Sequence, residues 1–168
     1  MQTHTHSHEG RREITWERFG EMAKELALKI DREYQPDCIV GISKGGLTLA
    51  SVLASLFRID LYPIRLSYRE RDRIVHEKPR WSVEPPDDVE GCKVLLVDEL
   101  AVSGHTLHEA ERALRNKGVS EIKTCTLYIH PGSFKPDFYY LETPELVVNP
   151  WDKWVIVENE ITIHPEYR

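Results

Sequence analysis

KVLLVDELAVSGHTL, running from Lys93 to Leu107, decides the fold. Val94, Leu95, Leu96 and Val97 form an unbroken apolar run, and a short run with no polar partner at alternate positions suits a strand covered on both faces. Two adjacent carboxylates, Asp98 and Glu99, close the run, and Ser103-Gly104-His105-Thr106 opens a helix predicted from about Thr106 to Lys117. Leu107, Ala110 and Leu114 line one side of that helix, and Gly118 stops it. A helix start carries unpaired N–H groups and the positive end of the macrodipole, so Ser103, Gly104, His105 and Thr106 are candidates to hold a phosphate. Asp98 and Glu99 are placed to accept hydrogen bonds from sugar hydroxyls and to orient a magnesium ion. The plainer alternative is a capped helix with both acids facing solvent.

Working outward, the same alternation repeats. Phe19, Met22, Ala23, Leu26 and Ile30 recur at helical spacing between Thr15, a predicted cap, and Arg32; Tyr34-Gln35-Pro36 stops the helix. Cys38 to Ile42 is a second buried strand, Ser43-Lys44-Gly45-Gly46 a turn, Leu47 to Phe57 a helix and Leu61 to Leu66 a strand, which makes a βαβ unit. Ile122 to Ile129 is a further strand. The prediction is an α/β domain with a central, mostly parallel sheet flanked by helices, whose ligands sit at the carboxyl ends of the strands. Residues 67–92 lose periodicity and are predicted to contain a mobile loop at about 67–86. Residues 131–168, rich in proline and aromatics, are assigned to a small C-terminal hood.

At 168 residues, 40% hydrophobic and 30% charged, the chain fits one folded domain over 14–168. Residues 1–13, with His4, His6 and His8, are predicted to be a flexible tail in which metal binding is the less favoured reading. No secretory leader or bilayer-spanning run is evident, and Cys38, Cys92 and Cys125 are odd in number and widely spaced, so a reducing cytoplasmic setting is expected. The net charge of -6 argues against a general affinity for nucleic acid. Neither GxxxxGK[ST] nor GxGxxG is present, which disfavours nucleoside-triphosphate and dinucleotide sites of those kinds.

Between about residues 14 and 158 the sequence resembles the type I phosphoribosyltransferases, most closely the xanthine-guanine and hypoxanthine branch. The strand with two acids and Ser103-Gly104-His105-Thr106 is similar to that family's site for phosphoribosyl pyrophosphate, and Ile42 to Leu47 to its pyrophosphate loop. Pro136-Asp137-Phe138-Tyr139 and Asn149-Pro150-Trp151-Asp152 match the C-terminal part of the branch. The resemblance implies transfer of ribose 5-phosphate to a purine-like base with release of magnesium-bound pyrophosphate. It casts Asp98 and Glu99 as catalytic and metal-associated, and Lys44 and Gly45 as pyrophosphate-binding. Lys78, among the bases Arg69, Arg71, Arg73 and Arg80 of the mobile loop, would cover the pyrophosphate on closure. Val102, His130, Leu146, Val147 and Asp152 would surround the base, and the family suggests a homodimer or homotetramer, with Phe138 to Tyr140 as candidate interface residues.

Three of these positions depart from the purine branch. Val102 stands where Asp usually contacts the purine, His130 where Lys usually reaches the exocyclic oxygen, and Leu146 where an aromatic usually stacks. His130 is expected to donate a hydrogen bond to a base carbonyl in compensation. All three changes fall on the base side, so the donor half of the site is better supported, and a noncatalytic regulator that binds phosphoribosyl pyrophosphate or a nucleotide is the alternative. A phosphatase or hydrolase using the same acids is a weaker one.

Overall fold

A computed structural model of the chain describes residues 9–70, 73–74 and 79–168, and the structural statements below concern these residues. Chain order is β1 (Arg11–Glu13), α1 (Trp16–Glu33), β2 (Cys38–Ile42), α2 (Gly45–Phe57), β3 (Asp60–Ser67), β4 (Arg69–Glu70), β5 (Arg73–Ile74) and β6 (Arg80–Val83). There follow β7 (Lys93–Ala101), α3 (His105–Asn116), β8 (Glu121–Ile129), β9 (Phe138–Glu142), β10 (Leu146–Val148), β11 (Trp154–Val157) and β12 (Glu160–Ile163). The main sheet has the order β6-β3-β2-β7-β8-β9 and is parallel except for the antiparallel β3–β6 pair. This is the α/β architecture expected from the alternation of strands and helices.

The side chains of β7 explain why its apolar run is unbroken. Leu95 and Val97 pack with α1 and α2 on one face, while Val94 and Leu96 pack with Leu107, Ala110 and Leu114 of α3 on the other. Successive residues of a strand point to opposite faces, so a strand covered twice needs apolar side chains throughout. Burying one such Leu contributes about 1.5–3 kcal/mol relative to exposure. The first helix is equally legible: Thr15 Oγ1 accepts the Arg18 N–H at 3.1 Å, the periodic face is buried, and extended Tyr34 ends the helix.

Several boundaries differ from those read in the sequence. The second helix starts at Gly45 rather than Leu47, because its glycines, poor helix formers in isolation, lie tight against β7; a Cβ on Gly46 would stand 2.7 Å from the Val97 carbonyl. The third helix starts at His105, one residue before Thr106. Strand β7 continues to Ala101, since its pairing with β8 persists to Ala101↔Ile129 after its pairing with β2 ends at Gly41↔Val97. The stretch 67–92 is not simply a loop: Arg80–Val83 forms an edge strand on β3, and Arg69–Glu70 pairs with Arg73–Ile74. An edge strand with a solvated face needs no apolar run, which hides it from periodicity.

The hood is also redistributed. Phe138–Glu142 belongs to the main sheet as its last parallel strand, whereas Leu146–Val148 pairs with Arg11–Glu13, three residues assigned above to the tail. Their side chains are polar and exposed, and they are held by this pairing together with ion pairs of Arg12 with Glu145 and of Glu13 with Lys153. His4, His6 and His8 lie outside the described residues. Of the aromatics proposed as an interface, Phe138 packs inward at 2% exposure, while Tyr139 and Tyr140 are partly exposed and the Tyr140 hydroxyl donates to Glu25 at 2.8 Å and accepts from Arg18 at 2.9 Å at the surface. Cys38 and Cys125 are buried free thiols, as expected of core residues. Among the described residues no helix is long and apolar enough to cross a membrane.

Candidate functional site

The chain leaves β2 for β3 on one side, while β7 lies against β2 on the other, so the strand order reverses between β2 and β7. A crevice opens outside the carboxyl ends of strands at such a switch point. The turn after β2 carries Ser43, Lys44 and Gly45, and β7 carries Asp98 and Glu99 just beyond Val97, its last partner on β2. Ser43 is anchored by its N–H to the Ile64 carbonyl at 2.8 Å; the Ser43–Lys44 peptide is cis, and Lys44 is exposed at the start of α2. Any side chain at Gly45 would run into the Glu99 carboxylate, and one at Gly46 would stand 2.8 Å from the Asp98 Cα. Gly45 and Gly46 thus meet Glu99 and Asp98 in space, with Lys44 next to Gly45 in the chain.

Asp98 and Glu99 are half-exposed residues whose carboxylates nonetheless sit deep in protein. Desolvation pushes Asp98 up to about 7, opposed by the Glu99 N–H that its Oδ1 accepts at 2.8 Å. Desolvation, then the charges of Asp98 and Asp152, push Glu99 up to about 7 against the lowering effect of a hydrogen bond from Asn149. No Lys or Arg among the described residues offsets either charge. Nor do the described residues form a cluster of three metal-ligating side chains. Two uncompensated carboxylates without a full protein cage suit magnesium, which takes one or two carboxylates and completes its shell with water and substrate phosphates.

Beyond β7 the chain turns through Val102, Ser103 and Gly104 into α3. Gly104 precedes the helix with φ 77° and no side chain caps its first turn. The Ser103 hydroxyl accepts the His105 N–H only at 3.4 Å, longer than a usual hydrogen bond. The turn borders a cavity of about 150 Å³ lined by Asp98, Val102, Ser103, His105 and Thr106 among others. The helix terminus and its open N–H groups give that cavity the chemistry of an anion site.

A second cavity, of about 170 Å³, adjoins it along Leu100 and Val102. Its walls include Glu99, Val102, His130, Leu146, Val147 and Asn149. Four of the five residues expected around a base line this cavity; Asp152 does not line it, though its charge acts on Glu99, and its carboxylate accepts the Tyr167 hydroxyl at 2.7 Å. His130 spends one ring nitrogen inside the protein. Its Nδ1 lies 2.7 Å from the Thr143 carbonyl, which can only accept, so Nδ1 carries the proton and that donor is spent; in the neutral ring the other nitrogen is an acceptor.

A model of the phosphoribosyl transferase domain matches residues 14–160. The chain belongs to the phosphoribosyltransferase family. Purine phosphoribosyltransferase from Pyrococcus horikoshii superposes with a TM-score of 0.76 at 29% identity, covering 88% of this chain and 98% of that one. Adenine phosphoribosyltransferase of Campylobacter fetus is 26% identical over 100 residues, 54% of this chain and 55% of its own length. Transcriptional regulator GfcR of Methanococcoides burtonii is 25% identical over 126 residues, 68% of this chain and 61% of its own. The chain thus spans little more than half the length of these curated relatives.

Within this phosphoribosyltransferase domain, the sequence alone missed Leu100, Tyr128 and Asn149 as wall residues. Leu100 stood unassigned between the acids and the phosphate loop, Tyr128 read as an ordinary strand position, and Asn149 stood only as part of a motif. Its burial to 2% exposure is the property that marks it, and burial of a polar residue is invisible in one sequence. Lys78 and Arg71 lie outside the described residues, while Arg80 sits on the edge strand β6.

Proposed function

We propose that this chain transfers the ribose 5-phosphate of phosphoribosyl pyrophosphate to a purine-like base, with magnesium and with release of pyrophosphate. The observation that carries the proposal is the arrangement of two adjoining cavities around one pair of acids: an amide-lined pocket at the start of α3, and an apolar pocket beyond Val102. The loop 103–106 receives the 5-phosphate, Asp98 and Glu99 accept the ribose hydroxyls, and Lys44 with the Gly45 amide holds the pyrophosphate. Leu146 and Val147 pack against the base. A nitrogen of the base bonds to ribose C1 as the bond from C1 to pyrophosphate oxygen breaks, and the protein's contribution is alignment and screening of charge. The carboxylates of Asp98 and Glu99 would hold magnesium, which when bound would supply charge neutralisation for the departing pyrophosphate. Incubation with phosphoribosyl pyrophosphate, magnesium and a panel of purines is expected to release pyrophosphate with at least one base; release with none rejects catalysis.

One feature favours a second reading. Val102, 38% exposed between the two cavities, brings no acid or base to the incoming nitrogen, and the similarity to a protein named as a transcriptional regulator lies in the same direction. In that reading the domain binds phosphoribosyl pyrophosphate or a nucleotide and signals through a partner. Tight binding by calorimetry, without pyrophosphate release from any base, selects it.

A further inference from the structure

Glu99 is gripped from two sides. Its Oε2 lies against the α-carbon of Gly45, and its Oε1 accepts the side-chain amide of Asn149. Asn149 is 2% exposed, and its Oδ1 in turn accepts the Tyr128 hydroxyl at 2.8 Å, with Tyr128 itself 1% exposed. A carboxylate has no proton to offer the amide oxygen and the phenol has one to give, so this pair of partners fixes which end of the amide faces which. The Asn149 loop does not depend on that side chain for its shape: the Asn149 carbonyl accepts the N–H groups of Asp152 at 3.2 Å and Lys153 at 3.1 Å.

We propose that Asn149 is a positioning residue for the sugar, holding the Glu99 carboxylate in the orientation that accepts the ribose diol, with Tyr128 setting the direction of the amide. The proposal rests on the donor-site reading above. A carboxylate fixed before the ligand arrives loses no rotamer freedom on binding, whereas a free one must be ordered by the ligand itself. The chain of contacts also runs from β8 through the loop after β10 to β7, so it joins elements far apart in sequence at the acid that lines the second cavity.

The test is calorimetry of the full chain with ribose 5-phosphate and with 2-deoxyribose 5-phosphate, on the wild type, Asn149→Ala and Tyr128→Phe, with thermal unfolding as a control of folding. Loss of a hydrogen bond to a charged group should weaken ribose 5-phosphate binding roughly 10-fold in Asn149→Ala, and by a smaller factor in Tyr128→Phe. The loss should shrink for the deoxy sugar, which lacks a hydroxyl for Glu99 to accept. Equal losses with both sugars, or no loss in a folded Asn149→Ala, overturn the proposal. If Asn149→Ala does not fold, Tyr128→Phe decides, and unchanged affinity in it is the overturning result. Failure of the wild type to bind either sugar phosphate removes the donor-site reading itself, and this is seen before any substitution is made.

Discussion

The ring of Phe134 lies against the α-carbon of Gly104, so closely that a Cβ there would stand 2.6 Å from the ring's Cγ. The Phe134 N–H also donates to the Val102 carbonyl at 2.9 Å, which clamps the turn at both ends. Gly104 has φ 77°, a conformation that costs an L side chain about 1 kcal/mol or more before any collision. Gly104→Ala is therefore expected to lower the unfolding midpoint and to abolish measurable ribose 5-phosphate binding. Phe134→Ala, which relieves the clamp without straining the backbone, should weaken binding with a smaller stability loss. Thermal unfolding and calorimetry on the two variants check this, and unaltered binding in Gly104→Ala would show that the turn is not a phosphate site.

Gly45 makes the same point for the other loop. Its α-carbon touches the Glu99 carboxylate, so Gly45→Ala must displace either the turn after β2 or the acid. Displacement by about 1 Å costs on the order of 100-fold in turnover where positioning carries catalysis. The expected outcome is a large fall in pyrophosphate release with little change in the unfolding midpoint, because the side chain that moves is at the cleft rather than in the core. A variant with normal activity would detach Glu99 from the reaction.

The acids impose opposite pH dependences on folding and on binding. Burial raises both Asp98 and Glu99 from ordinary values of 3.8 and 4.5 to about 7 in the unliganded protein. The folded chain therefore binds more protons than the unfolded chain across that window, so the stability contributed by these groups is greatest on the acid side and declines as pH rises through it. Magnesium and a sugar diol require the ionised pair, so affinity for phosphoribosyl pyrophosphate should fall as pH drops below about 7. Exposed acids such as Glu13 and Asp87, held low by hydrogen bonds from Lys153 and Lys117, slope the other way, so the comparison must be with Asp98→Asn/Glu99→Gln. That double variant should gain stability relative to wild type at pH 8 but not at pH 4; a constant difference across pH contradicts the assignment.

How much of this was visible in the sequence depends on whether neighbours in space are neighbours in the chain. Strands β2, β7 and β8 are buried and parallel, so composition alone marks them. Asp98, Glu99 and residues 103–106 lie within nine positions of chain, so the proposed donor half of the site stands together in the sequence. Arg80–Val83 and Arg11–Glu13 are exposed strands defined only by what they pair with, and no periodicity reveals them. Asn149 and Glu99 are brought together by the fold across fifty positions of chain, and the hydrogen bond from Tyr167 to Asp152 joins residues fifteen apart that no periodicity links.

Val102 offers the sharpest test of what the base side lacks. Its side chain is 38% exposed at the boundary shared by the two cavities, so replacement by a polar residue leaves no buried charge and should cost within about 0.5 kcal/mol of stability. A correctly placed general acid or base contributes about 10² to 10⁴ in rate. If the apolar residue is what limits chemistry on purines, Val102→Asp should raise pyrophosphate release with a purine acceptor by at least about 10-fold while affinity for phosphoribosyl pyrophosphate stays within about 3-fold, since the substituted atom lies outside the 5-phosphate amides. A gain confined to one purine would also report which edge of the base faces residue 102. No gain with any base, in a variant that folds and still binds the sugar phosphate, would place the limitation at His130 and its spent donor, or mean that the domain's work is binding rather than turnover.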